Sequence, residues 1–121
     1  VKKKPMVWLL RTAGVLFLVA VLGQAVLAGL FVTGDTGFLD VHEINSTVVG
    51  LAAIAWIIAS IVLKAPLRMV LVGVAALLAT GAQIGLGHAR GLGLHIPLGV
   101  ALFGAGITLT TLAFSYRTEP K

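Results

Sequence analysis

The chain contains no cysteine. That excludes a disulfide framework, a thiolate-held metal and a thioether-linked haem. Charge is scarce too: 11% of the 121 residues are charged, against about a quarter in a soluble domain. Only four residues are acidic, Asp35, Asp40, Glu43 and Glu119, and all stand between apolar runs or at their ends. A transporter built on a membrane-embedded carboxylate is therefore disfavoured. No nucleophile–base pair falls in a pocket-forming segment, so hydrolase chemistry is not expected.

What is present is apolar. Hydrophobic residues make up 59% of the chain, and mean hydropathy is +1.09. A water-soluble fold of this length could not hide so much apolar surface. Four runs carry the excess, at residues 12–33, 41–63, 69–87 and 94–114. Each approaches the ~20 residues that cross a ~30 Å hydrocarbon core as a helix. The expectation is an all-α integral membrane protein, one four-helix domain over residues 1–121. "VKKKP" before the first run resembles the basic start of a signal peptide. The run is longer than a ~7–15-residue signal core, and no A-x-A site follows it, so it reads as a retained span.

The net charge of +5 reports topology. With the N-terminus inside, Lys2, Lys3, Lys4, Arg11, Lys64, Arg68, Arg117 and Lys121 share the cytoplasmic side, and only Arg90 lies outside. That is the positive-inside asymmetry, and it puts both termini in the cytoplasm. Anionic headgroups are natural partners for such a face; nucleic acid is not.

The connections are short. "KAPLR" (64–68) turns on the inner side, with Pro66 suited to opening the third helix. "GDTGFLD" (34–40) and "GHARGLG" (87–93) turn on the outer side, with Asp40 a candidate cap for the second helix. Short loops force neighbouring helices antiparallel, giving an up-down-up-down bundle. A faint repeat runs through it: "GQAVLAGLF" (23–31) and "GAQIGLGHA" (81–89) each precede an outer loop and a histidine-led helix. Gly29, Gly81, Gly85 and Gly99 are expected at helix contacts, where small residues let membrane helices approach.

His42 and His95 open the second and fourth runs, so both should lie at one depth near the outer face, across the bundle's diagonal. A histidine at a membrane boundary is often only a polar residue at the threshold. Two at one depth also match the axial ligand pair of a haem. On that reading they are the iron ligands, Arg90 is the one basic residue near the propionates, and His88 is a loop residue. Gln24 and Gln83 need partners in an apolar setting and are candidates for the cofactor's surroundings.

The pattern "GQAVLAGLFVTG…HEINSTVVGLAAI" followed by "TGAQIGLGHARGLGLHIPLGVALF" resembles one four-helix half of the haem A synthase family. It is also similar to small four-helix membrane proteins with the same histidines. The resemblance implies that His42 and His95 ligate haem. It departs where the family has an acidic residue one turn before the first histidine, Leu39 here, and an arginine after it, Glu43 here. Oxidation of a haem methyl group is thus not implied. The expected protein is a small b-type cytochrome of a bacterial cytoplasmic membrane. It would carry electrons beside a respiratory complex or another redox partner, and would be an electron carrier more than an enzyme. The alternative is a cofactor-free accessory subunit, packed through glycine-rich faces on other membrane subunits.

Overall fold

A computed structural model describes residues 2–118; Glu119 and Lys121, counted among the charges above, lie outside them. The described residues form four helices and no strand: α1 (Lys3–Val32), α2 (Phe38–Val62), α3 (Leu67–His88) and α4 (Leu92–Ser115). The shortest has 22 residues, about 33 Å at 1.5 Å per residue. All four are long and apolar enough to cross a bilayer. The chain is an all-α four-helix membrane bundle in contact with lipid.

Two helix starts differ from expectation. α1 begins at Lys3, well before residue 12. Pro5 falls within its first turn, where no intrahelical N–H bond is lost, so the basic segment is helical as well. α2 begins at Phe38, with Gly37 in the cap position and Asp40 inside the first turn. The turn closes earlier than expected because the Phe38 and Leu39 amides donate to the Asp35 and Thr36 carbonyls. Asp40 therefore acts on the helix end by its charge and makes no capping bond.

α1 packs against α2 and α4, and α3 packs against the same two, while the diagonal pairs stay apart at the backbone. Packing is uneven along the bundle. Every buried residue described lies between 10 and 21 on α1, 49 and 63 on α2 and its cap, 69 and 80 on α3, or 102 and 113 on α4. All of these belong to the half nearer the chain termini. Phe17, Trp56 and Leu109 fill its centre. The Trp56 indole N–H donates to the Met69 carbonyl at 3.2 Å, and the Tyr116 hydroxyl donates to the Leu63 carbonyl at 3.1 Å. Residues 22–48 and 81–101, the opposite half, contain no buried residue.

Of the four glycines expected at helix contacts, only Gly99 is at one, against Gln83 of α3, and the closest backbone contacts are made elsewhere. A Cβ on Gly14 would meet the Thr110 backbone at 3.1 Å, and one on Gly106 would meet the Leu18 backbone at 3.0 Å. Gly73 makes room for Trp56, whose Cδ1 would lie 2.5 Å from an added Cβ. Around Gly29, Gly81 and Gly85 there is open space. Hydropathy gives the length of a span but not which side of it meets a neighbour, and these three face away from the packed seams.

Candidate functional site

The loosely packed half holds the polar side chains of interest. His42 is in the second turn of α2 and His95 is in the first turn of α4. Both helices start at the same end of the bundle, so the two rings come to one level. Their centroids are 6.4 Å apart with planes inclined at 56°, and both residues are half-buried. The sequence expectation that the two histidines meet across the diagonal holds.

Each ring is held in the same way. His42 Nδ1 lies 3.2 Å from the Gln24 carbonyl oxygen, and His95 Nδ1 lies 2.9 Å from that of Gln83. A backbone carbonyl only accepts, so Nδ1–H is the donor in each bond. The second nitrogen, Nε2, is then left with its lone pair, the form in which imidazole binds a metal. The faint repeat thus has a structural counterpart: a glutamine's backbone oxygen on one helix fixes the histidine leading the next. The spacing differs, 18 residues against 12, because the first hairpin runs further past its glutamine and has the longer loop.

The glutamine side chains diverge. Asn45 Nδ2 donates to Gln24 Oε1 and to the Ala20 carbonyl, each at 2.9 Å. Three residues after His95, the position matching Asn45 is Leu98, which cannot donate. Gln83 Oε1 is accordingly buried with no hydrogen-bond partner among the described residues. Its amide nitrogen lies over Gly99, where a Cβ would come within 3.0 Å.

Other neighbours shape the rings' surroundings. Phe31 meets His42 edge-on, with centroids 5.3 Å apart. Gly87 faces His95, where a Cβ would sit 3.1 Å from Cε1. His88 is the last residue of α3, not a loop residue, and its Nε2 lies 3.7 Å from Glu43 Oε1 at the exposed rim. Arg90 is exposed on the α3–α4 turn with φ of 57°; no described hydrogen bond or ion pair ties its side chain to the histidines. Asn45, Phe31, Gly87 and the Glu43–His88 pair were not legible as site residues. The spacing of Asn45 from His42, one turn on, was the one available signal.

The arrangement has a definite chemical capacity. A metal–imidazole bond is about 2.0–2.1 Å long, and a ring centre lies roughly 1 Å behind its nitrogen. Two imidazoles sharing one metal therefore have centroids about 6 Å apart, the separation seen. Among the described residues no group of three or more His, Cys, Asp or Glu gathers here. A bare zinc ion needs three or four protein ligands. Two histidines alone suit a metal complex that brings its own in-plane donors.

Comparison with family models, curated proteins and solved structures finds no match to this chain. None of these comparisons supports a family for the chain.

Proposed function

We propose that the chain is a small b-type membrane cytochrome holding one haem between His42 and His95. The observation that carries this reading is the pair of imidazoles 6.4 Å apart, each anchored through Nδ1 to a neighbouring helix. A haem supplies four ring nitrogens and needs two axial ones, which is the donor set this site offers. When bound, a haem held by His42 and His95 would supply one-electron redox chemistry.

The chain's own residues set the conditions. The Gln24 and Gln83 carbonyls fix ring tautomer and orientation, which sharpens ligand basicity. Phe31 shields one imidazole. Gln83 Oε1 offers an acceptor beside His95. Arg90, on the adjacent turn, is the nearest basic residue in sequence for carboxylate groups at the aqueous edge. The termini lie on the cytoplasmic side of a bacterial membrane and the histidines near its outer surface, which suits exchange of electrons with a respiratory or other redox partner.

A cofactor-free accessory subunit is the second reading. Its support is the open space around Gly81 and Gly85, one turn apart on exposed α3, a surface another membrane helix could approach. The visible spectrum of protein purified from haem-supplied cells separates the two. The cytochrome reading expects a Soret band that shifts on dithionite, with sharpened α and β bands. A protein colourless under those conditions supports the accessory subunit.

A further inference from the structure

At the opposite end of the bundle, Arg11 occupies an unusual place. Gly14 packs on Thr110 and Gly106 on Leu18, so the antiparallel register sets Arg11 beside the last turn of α4. Its guanidinium carbon lies 5.4 Å from the Trp8 ring centre and 5.3 Å from that of Phe114. Both rings are more than half exposed, at 55% and 52%, and they continue the outward-facing stripe of Val15, Val19 and Leu22. Arg11 Nε is buried and has no hydrogen-bond partner among the described residues.

A guanidinium stays charged in proteins, and its strongest hydrogen bonds are those to anions. The described carboxylates, Asp35, Asp40 and Glu43, all sit at the far end, with about 30 Å of helix between. Water alone is a poor partner for a group clamped between two lipid-facing rings. Lys4 follows on the same face of α1, two turns toward the terminus. Trp8 is of the residue type that collects at the headgroup level of a bilayer, beside basic side chains at a helix end.

We propose that Arg11, clamped by Trp8 and Phe114 and seconded by Lys4, binds the phosphodiester of an anionic phospholipid at the seam between α1 and α4. The planar fork of a guanidinium matches two phosphate oxygens, and the ring clamp holds that fork in place. The site is independent of the histidine pair.

Native mass spectrometry of the full chain in detergent, titrated with phosphatidylglycerol, phosphatidylcholine or inorganic phosphate, tests it. Phosphatidylglycerol should bind more tightly than phosphatidylcholine, and inorganic phosphate should not displace it. Arg11→Gln should weaken that binding about tenfold, as expected for loss of charge-assisted hydrogen bonds. Lys64→Gln, a charge removed at the same end but off the seam, should leave it unchanged. Phe114→Leu alters only an exposed ring, so it keeps the test open if Arg11→Gln misfolds, and it should weaken binding several-fold. Unchanged phosphatidylglycerol affinity in Phe114→Leu and in any folded Arg11→Gln would overturn the proposal. So would equal affinity for the two lipids. Displacement by inorganic phosphate would assign the site to a soluble anion instead.

Discussion

At the scale of single residues, the site is governed by which side chains find partners. Gly87 is required by its neighbour: a methyl there would press on His95 at 3.1 Å. Gly85, half a turn away, faces open space. Gly87→Ala should therefore disturb the His95 environment, seen as a shifted imidazole NMR resonance or weakened haem retention, while Gly85→Ala should do neither. The reverse order would contradict the geometry. Asn45 makes two interhelical bonds. Such bonds in membranes average about 0.6 kcal/mol and reach about 2, so Asn45→Ala should cost about 1–2 kcal/mol in reversible unfolding. A cost near zero would mean that Gln24 finds another donor. These details were out of reach of the sequence. The partner of each histidine is a backbone oxygen, and backbone atoms carry no residue-specific signal.

At the scale of helices, stability comes from the close seams of one half. Gly14 and Gly106 bring α1 and α4 to backbone contact, where packing and not the hydrophobic effect drives association. Gly106→Val should force those helices apart and cost about 1–3 kcal/mol by overpacking. The same change at Gly29, with nothing within reach, should fall well below that. Thermal denaturation in a fixed detergent compares the two. Helix number, order and antiparallel arrangement were legible because apolar run length and short loops determine them. Gly106 stood out only as one of several small residues of the fourth run and Gly14 not at all, since nearly every residue of these helices is apolar and the pattern hardly marks a buried side. The early starts of α1 and α2 were missed for a related reason: "KKKPMVWLLRT" and "FLD" are too polar for a span yet helical by continuity.

At the scale of the whole molecule, charge and packing are both polarised along one axis. The described basic residues other than Arg90 and the buried core share the end where α1 begins and α4 ends; Arg90, the described acids, the histidines and the loosely packed helix ends share the other. The charge asymmetry predicts cytoplasmic termini. A cysteine at position 65 should resist an impermeant thiol reagent in intact cells, and one at position 93 should react, with no native thiol to compete. Labelling at 65 alone would invert the topology. The buried residues hold one half together, while the half that carries His42 and His95 contains no buried residue.

If His42 and His95 ligate one iron, as proposed, electron paramagnetic resonance of the oxidised, haem-loaded protein will show it. The wild-type chain should give a low-spin signal of bis-imidazole type. His42→Ala and His95→Ala should each lose it, because each removes one of two axial bonds, and His88→Ala should keep it, because that side chain pairs with Glu43 at the rim. Persistence of the low-spin signal in the His42→Ala, His95→Ala double variant would contradict the account.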